Sequence, residues 1–285
     1  MGQANKIIEF LKKIYKKTVS FPALDYLVKK TLENFVKILC FFQKLSFPKK
    51  FTWEWKLEML LRNYEKNTVK YFKENIKPGM TVIDIGAHIG YYTLIFSKLV
   101  GPNGKVFAFE PEKENFLLLE KNTCHLKNVE RHEKAVSDKN GSIDFFKIIG
   151  STGCHSVLPP QIDNEKITVE SITIDSFLEK KSINKVDFLK IDIEGAELLA
   201  LKGMEALIKK SKKLSVVAEF NPEGLKNSDT KPAEFLENLE KMGFKIFKIS
   251  STSIAPLDAK KGIAGIDFYH AKNAYTNILL IKNNQ

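Results

Sequence analysis

The stretch VIDIGAHIGYYTLIF, residues 82–96, decides the fold. Apolar residues on both sides of Asp84 predict a short buried strand, two glycines follow it, and a second apolar run begins at Tyr91. This second run is typical of a helix. A strand that turns into a helix through glycines is a unit of an α/β sheet, in which ligands bind beyond the carboxyl ends of the strands. The stretch therefore predicts a binding turn at the end of the first strand.

Short apolar runs and helical stretches alternate on the carboxyl-terminal side of this turn. Candidate strands lie at 81–86, 105–110, 130–136, 186–193, 214–220, 244–250 and 275–282, and candidate helices at 91–100, 112–126, 196–210 and 232–242. Strands that are apolar along much of their length and are separated by helices form a parallel sheet covered on both faces. Residues 141–174 instead alternate with period two around a loop, which predicts an antiparallel hairpin.

These patterns predict one α/β fold: a doubly wound, mostly parallel, seven-stranded, Rossmann-like sheet with an inserted β-hairpin and an amino-terminal helical extension. The expected domains are a basic amphipathic extension in residues 1–56 and the α/β domain in residues 57–285. The three cysteines include no CxxC pair, which is typical of a protein of the reducing cytoplasm.

Most of the positive charge lies near the amino terminus. Residues 1–50 contain eleven Lys and no Arg against three acidic residues, a net charge of 11 − 3 = +8, whereas the whole chain has +11. The rest of the chain is nearly neutral, so we expect no nucleic-acid substrate. Apolar residues recur every three or four positions between the lysines, which predicts amphipathic helices. Two alternatives stay open for these helices. They pack on the main domain or a partner subunit, or they contact an anionic membrane, which would place a cytoplasmic protein at the inner face of the cell membrane.

The glycine turn has the pattern DxGxxxG, from Asp84 to Gly90. Gly86 and Gly90 let the backbone approach a ligand and let the helix pack on the strand. A dinucleotide site has the pattern GxGxxG and holds a pyrophosphate at the helix amino terminus. The carboxylate of Asp84 would repel a pyrophosphate but suits a cationic ligand. S-adenosylmethionine carries an ammonium and a sulfonium group and no phosphate, so we expect it as the cofactor.

An acidic residue also ends the second candidate strand, at Glu110-Pro111. A carboxylate at this place accepts the ribose hydroxyls of a bound nucleoside, in dinucleotide and S-adenosylmethionine sites alike. A nicotinamide-dependent sugar oxidoreductase therefore stays open as an alternative, although the missing third glycine and Asp84 argue against it. A scaffold without activity is a second alternative, and the acids Asp84, Glu110 and Asp192 argue against that.

The segment VDFLKIDIEGAE, residues 186–197, resembles the signature of FkbM-type methyltransferases. Three further segments occur in the order of that family: PGMTVIDIGAHIGYYT at 78–93, GPNGKVFAFEPE at 101–112 and AVSDKNG at 135–141. The resemblance covers roughly residues 60–282 and implies the class I methyltransferase fold. It also implies an S-adenosylmethionine-dependent O-methyltransferase that modifies a hydroxyl of a sugar, a glycan or a lipid-linked saccharide. Another small molecule or lipid is the alternative acceptor.

By this resemblance, the cofactor contacts come from four places in the chain. They are the helix before the first strand, the glycine turn, the end of the second strand and the segment after the third strand. The residues concerned are Glu65; Asp84, Gly86, Ala87, His88 and Gly90; Glu110 and Pro111; and Val136, Ser137 and Asp138. His88 departs from the Asn that is usual in the family, but it keeps a polar group in the turn.

Three ionisable residues alternate along the end of the fourth candidate strand, Lys190, Asp192 and Glu194, and we expect this trio to serve the reaction. Alternate residues of a strand share one face, and such groups are costly to bury unless they are paired or bind a ligand. Asp192 is the expected base or metal ligand, and Lys190 would hold that carboxylate or orient the acceptor. Glu194 and Glu219 would complete a Mg²⁺ site. His155, in the polar loop of the predicted hairpin, is the alternative base.

Overall fold

The structure is a computed structural model that describes residues 3–18, 22–150, 153, 155–160, 162–226, 230–249, 253–258 and 275–283. The chain divides into two units, residues 1–70 and residues 71–285. The expected domain boundary at residue 56 therefore falls inside the first unit.

The first unit is helical. Its described helices are α1 (Gln3–Thr18), α2 (Pro22–Gln43) and α3 (Trp53–Leu60), and α4 (Lys66–Asn75) continues into the second unit. α3 contacts α1 through an ion pair between Lys12 Nζ and Glu58 Oε1, 2.8 Å apart, and through the ring edges of Tyr15 and Trp53. The unit extends beyond residue 56 because α3 packs with the amino-terminal helices. Among the helices that the structure describes, none is long and apolar enough to cross a membrane.

The second unit contains the sheets. Its described strands are β1 (Thr81–Ile85), β2 (Lys105–Phe109), β3 (Val129–His132), β4 (Ala135–Val136), β5 (Gly141–Ile148), β6 (Asn164–Ile172), β7 (Phe188–Ile191), β8 (Lys213–Phe220), β9 (Lys245–Ile249), β10 (Ile254–Pro256) and β11 (Thr276–Asn283). Its described helices are α5 (Tyr91–Val100), α6 (Lys113–Thr123), α7 (Ile174–Lys180), α8 (Glu197–Lys202), α9 (Glu205–Lys210), α10 (Pro222–Lys226) and α11 (Pro232–Lys241).

Eight of these strands form one sheet in the order β10-β9-β11-β8-β7-β1-β2-β3. The strands β8-β7-β1-β2-β3 run parallel, whereas β11 is antiparallel to β8 and β9, and β10 is antiparallel to β9. The doubly wound, mostly parallel fold is thus confirmed, with the short edge strand β10 as an eighth strand that the sequence did not predict. The chain order reverses between β1 and β7, which end at Ile85 and Ile191. Ligands bind at such a reversal in open α/β sheets.

The predicted hairpin is formed by β5 and β6, which pair antiparallel. The single strand predicted at 130–136 is wrong, because the chain divides there. β3 ends at His132 in the large sheet, and β4 pairs with β6 in a separate sheet of order β4-β6-β5. β3 is the last strand at one edge of the large sheet. No further described strand pairs with its outer side, so the chain can leave the sheet there.

The helix predicted at 196–210 also divides, into α8 and α9 at Gly203. A Cβ atom on Gly203 would lie 2.0 Å from Ser137 O, so glycine lets this turn pack against the chain after β4. Asp175 then caps α9, because its carboxylate accepts hydrogen bonds from Ala206 N and Leu207 N at 2.8 and 2.9 Å.

Apolar side chains cover both faces of the large sheet. On one face, α7, α8, α9 and α11 contribute to a buried core that includes Phe177 and Phe235. On the other face, the Phe72 ring meets Phe96 of α5 and Phe188 of β7 edge to face, with centroids 4.9 and 5.5 Å apart. Burial on both faces holds β1 and β7 in place and with them the carboxyl ends at which the site is expected.

Candidate active site

The turn after β1 is held between the ends of β2 and β7. Gly86 N and Ala87 N donate hydrogen bonds to Phe109 O at 3.0 and 2.9 Å. Gly86 has a φ of +77°, and a Cβ atom on it would lie 1.8 Å from Asp192 O. Glycine is required because the turn passes against the protein's own backbone, whereas the sequence interpretation attributed this need to a ligand.

The second half of the turn is held by α6. Gly90 begins α5 with a φ of +86°, and a Cβ atom on it would lie 2.8 Å from Leu119 Cδ1. Asn122 Nδ2 donates a hydrogen bond to Ile89 O at 2.8 Å. The turn therefore packs tightly against α6 at this glycine, whereas the sequence interpretation expected the helix to pack on the strand.

Glu110 joins the glycine turn to the end of β2. Its Oε2 accepts a hydrogen bond from His88 N at 2.8 Å, and its Oε1 accepts one from Glu112 N at 3.0 Å. The side chain is 5% exposed, and burial raises the pKa of Glu110 to about 7. The Asn115 side chain is a third donor to Glu110, and a carboxylate with about four acceptor sites keeps about one for a ligand hydroxyl.

Asp84 is completely buried, and the expected contact of its carboxylate with the cofactor stays a prediction. Thr93 Oγ1 of α5 donates to Asp84 Oδ2 at 2.6 Å, and Asp84 Oδ1 has no hydrogen-bond partner among the described residues. Burial raises the pKa of Asp84 to about 6, and the ammonium of Lys190 opposes this shift. Asp84 and Lys190 are paired in the register of β1 and β7. Asp84 therefore interacts below the surface with Thr93 of α5 and with Lys190 of β7.

Lys190 is buried among acidic and aromatic groups. Its side chain is 1% exposed, its Nζ lies 2.5 Å from Asp192 Oδ2, and it lies 4.6 Å from the ring centre of Tyr92. The side chain of Asp192 is 30% exposed. The expected pairing of Lys190 with Asp192 is present, and Asp192 is the partner that reaches the surface.

Glu219, near the end of β8, is a second buried acid close to this ion pair. The residue is 6% exposed, and its Oε2 has no hydrogen-bond partner in the described part of the chain. Burial, followed by repulsion from Glu194 and Asp192, raises the pKa of Glu219 well above its usual value.

Glu197 is a site residue whose role the sequence interpretation missed. Its Oε1 accepts hydrogen bonds from Ile193 N at 3.3 Å and from Gly195 N at 3.2 Å, so it holds the loop between β7 and α8. Burial raises the pKa of Glu197 to about 7. The available signal was an acidic residue in the first turn of a helix just after a glycine, where loop and helix N–H groups need acceptors.

The expected Mg²⁺ site of Asp192, Glu194 and Glu219 is not formed. Within the described ranges, no group of three or more His, Cys, Asp or Glu side chains is arranged to hold a metal ion. Asp192 is paired with Lys190, and Glu194 Oε2 accepts a hydrogen bond from Asn221 Nδ2 at 3.2 Å. Glu219 is buried, with 6% of the residue exposed. These carboxylates serve the protein's own network and do not fit a divalent ion.

His155 does not have the geometry of the alternative base. Ile148 N donates a hydrogen bond to His155 Nδ1 at 3.0 Å, so the neutral ring carries its proton on Nε2 and its basic nitrogen is already an acceptor. The next residue does reach the β7–α8 loop, since Ser156 Oγ lies 3.2 Å from Glu194 O. Residues 151, 152 and 154 of the predicted polar loop lie outside the described residues.

The remaining candidate cofactor residues differ in exposure. Ala87, Val136 and Ser137 are buried, Pro111 is half-buried and Asp138 is exposed. Ser137 N donates to Ile172 O, and Ser137 Oγ donates to Asp138 Oδ1, both at 3.1 Å. The contacts of 136–138 with adenine stay a prediction. Glu65 belongs to the first unit, and its contact with the cofactor also stays a prediction.

The family model described as "Methyltransferase FkbM domain" matches residues 84–246, which is more than half of the chain. The chain belongs to the FkbM methyltransferase family. The matched range begins at Asp84 and includes Glu110, the Lys190–Asp192 pair and Glu219. The resemblance carried by residues 186–197 is thereby confirmed.

Two relatives and one solved structure show how this family member compares with other proteins. The hexuronic acid methyltransferase AglP of Haloferax volcanii is 29% identical over 142 residues, which cover 49% of this chain and 56% of that protein. The 2-O-methyltransferase NoeI of Sinorhizobium fredii is 25% identical over 151 residues, covering 48% of this chain and 62% of that protein. The alignments thus span somewhat more than half of these relatives. A crystal structure of methyltransferase FkbM from Methylobacillus flagellatus KT has 16% identity and a TM-score of 0.43, and the match covers 86% of this chain and 57% of that one.

Proposed function

We propose that this chain is an S-adenosylmethionine-dependent O-methyltransferase that transfers a methyl group to a hydroxyl of a sugar, a glycan or a lipid-linked saccharide. The observation that carries the proposal is the meeting of the glycine turn with Glu110 at the strand-order reversal, beside the Lys190–Asp192 pair. Family membership supports it, as do the names of two relatives, one a hexuronic acid methyltransferase and the other a 2-O-methyltransferase.

The residues of the turn suit the cofactor in two respects. Glu110 ends β2 beside the glycine turn, where a carboxylate accepts ribose hydroxyls of a bound nucleoside. The cluster beneath the turn has two carboxylates, Asp84 and Asp192, facing the single ammonium of Lys190. This balance favours a cationic ligand over a pyrophosphate.

The cofactor, when bound, supplies a sulfonium-activated methyl group, whose bond to sulfur breaks as its bond to the acceptor oxygen forms. The acceptor hydroxyl must lose its proton, and Asp192 is the exposed carboxylate that receives it. Lys190 holds Asp192 in one orientation, because its ammonium donates to Oδ2 and leaves Oδ1 for the proton. Glu197 and Ser156 fix the loop that follows Asp192.

Calorimetry with S-adenosylmethionine, S-adenosylhomocysteine and NAD tests the cofactor. Binding of the first two without NAD is expected. Binding of NAD alone would support the sugar oxidoreductase instead, and binding of none would support a scaffold without activity. The acceptor is then identified by mass spectrometry of glycans and lipids from cells with and without the gene, in which the loss of one methyl group is expected.

The proposal includes a cytoplasmic location at the inner face of the cell membrane, where a lipid-linked acceptor would be presented. It rests on the net charge of +8 in residues 1–50. Fractionation of cells tests it: recovery with the membrane fraction at low salt and release at high salt are expected. Recovery entirely in the salt-independent supernatant would contradict this part.

A further inference from the structure

Helix α2 leaves one long apolar row uncovered. Large apolar side chains recur along one side of the helix and are each 45–76% exposed: Leu24, Leu27, Phe35, Ile38 and Phe42. Phe41, next to this row, is 79% exposed. Leu32 and Val36, on the other side of the same helix, are buried. The helix is therefore apolar on more than the side that packs within the protein.

Helix α1 carries a shorter row of the same kind. Ile7, Phe10 and Ile14 are 44%, 62% and 37% exposed and follow one another at helical spacing. Lys6 and Lys13 are exposed on the same helix. Ile8 is completely buried. Both amino-terminal helices thus combine a packed side with an exposed apolar side.

These side chains are concentrated in the first unit. Among the described residues, fifteen large apolar side chains are exposed, and eleven of them lie within residues 1–70. Single exposed apolar residues are normal on a protein surface, but contiguous groups mark a site of interaction. We call the exposed rows of α1 and α2, with Phe41, the apolar rows.

We propose that the apolar rows dock onto an anionic lipid bilayer, with both helices lying in its surface. Residues 1–50 supply eleven Lys and no Arg against three acidic residues. Lysines beside apolar rows extend their long chains so that the ammonium groups reach lipid headgroups while the rows enter the acyl boundary. The attraction of these lysines to anionic lipid adds to the burial of the rows.

The charge distinguishes a bilayer from a second copy of the chain. A second copy would place another eleven lysines opposite the first eleven, and like charges in contact oppose association. Lys is also depleted in protein–protein interfaces, whereas it is favoured at a membrane surface. The bilayer is therefore the occupant that the composition of this surface fits.

Sedimentation of the full chain with vesicles tests the proposal without cofactor or acceptor, so its outcome is independent of the proposed reaction. Vesicles of phosphatidylcholine are compared with vesicles that contain about one third phosphatidylglycerol, at about 0.1 M and about 1 M salt. Binding to the anionic vesicles at low salt, much weaker binding to neutral ones and release at high salt are expected. Equal binding to both vesicles, or binding to neither, would overturn the proposal.

Three variants separate the two contributions. The double variant Phe41→Ser/Phe42→Ser should weaken binding at least about tenfold, because two exposed rings no longer enter the bilayer. Lys29→Gln/Lys30→Gln/Lys37→Gln should weaken it about a hundredfold at low salt, at about fivefold for each charge, and only slightly at high salt. Leu117→Ser, which changes a 51% exposed residue of α6, is the matched control and should bind as the unchanged chain does.

Sedimentation velocity on the same proteins tests whether the apolar rows bind a second copy of the chain instead. A monomer in solution for all of them is expected. A dimer that dissociates when Phe41 and Phe42 are replaced would identify the apolar rows as a self-association surface and would overturn the proposal.

Discussion

Gly86→Ala tests whether the site depends on the close approach of the glycine turn to the end of β7. The added Cβ would lie 1.8 Å from Asp192 O, whereas real Cβ contacts are essentially never shorter than 3.0 Å. The turn or the β7 end must therefore move by more than 1 Å. That movement acts on the bonds from Gly86 N and Ala87 N to Phe109 O and from Asp192 N to Ile85 O.

The loss of unfolding free energy in Gly86→Ala has two parts, and a second variant, Gly79→Ala, separates them. Placing Ala at a positive φ costs about 1–2 kcal/mol. Disturbing three or so hydrogen bonds adds about 3 kcal/mol at about 1 kcal/mol each. Gly79 has a φ of +85° and no atom within 4 Å of an added Cβ, so Gly79→Ala carries the first cost alone. At about 2–4 °C per kcal/mol, Gly86→Ala should unfold roughly 10 °C below Gly79→Ala.

Thermal unfolding followed by circular dichroism and calorimetry with S-adenosylmethionine measure both effects. Gly86→Ala should also bind the cofactor at least about tenfold more weakly, because a displacement of about 1 Å is large for a binding constellation. Gly79→Ala should bind within about twofold of the unchanged chain, since its turn makes no such approach. Equal unfolding temperatures for the two variants, or an unchanged affinity in Gly86→Ala, would refute the reasoning.

Three further changes probe the charges of the site. Asp192→Asn should lower the rate of methyl transfer at least about a hundredfold, since a general base contributes a rate factor of about 10²–10⁴. Its cofactor affinity should stay within about twofold of that of the unchanged chain. Asp187→Asn, at the other end of the same strand, is the control, and equal losses of rate in the two variants would remove Asp192 from the reaction. Because burial raises the pKa of Glu110 to about 7 and its ionised form is the better acceptor for ribose hydroxyls, cofactor affinity measured by calorimetry should fall about tenfold from pH 8 to pH 6, and a flat profile would contradict this. Thr93→Val removes the donor to buried Asp84 and should cost about 1–3 kcal/mol of unfolding free energy. The pKa of Asp84 is about 6 in the folded chain and 3.8 in the unfolded one. Burying its charge therefore costs no unfolding free energy below pH 3.8 and the full amount above pH 6. Losing Thr93 raises that pKa further, so urea unfolding should show a larger loss at pH 7 than at pH 5, and the reverse order would refute the assignment.

The elements of the fold were predictable where one local pattern determines them. The helix at 91–100 coincides with α5, since its start follows Gly90 and its end precedes Gly101. Strand β1 was predicted to within one residue, because an apolar run bounded by turn residues has few other ways to be buried. The hairpin of β5 and β6 was equally local, because its period-two alternation needs no distant partner.

The placement of side chains in depth was not predictable, because distant parts of the chain decide it. Asp84 and Lys190 become neighbours only through the parallel register of β1 and β7. The local sequence does not show that Asp84 is completely buried there. The sequence also does not show that Nδ1 of His155 accepts a hydrogen bond from Ile148 N within the hairpin. The division of 130–136 likewise depends on β6, which follows in the sequence by about thirty residues.

The acidic character of the turn is a property of a cluster and not of Asp84 alone. The ammonium of Lys190 acts on Asp84, pairs with Asp192 and also acts on Glu219. Burial is the main cause that raises the pKa of Asp84 to about 6 and the pKa of Glu219 well above its usual value, and repulsion from Asp192 adds to both. The carboxylates of Asp84, Asp192 and Glu219 outnumber the one ammonium of Lys190 beside the turn. A cationic ligand would add positive charge there and would stabilise the ionised form of Asp84. The preference for a cation that the sequence predicted for Asp84 is therefore better explained by the excess of carboxylates around one buried lysine.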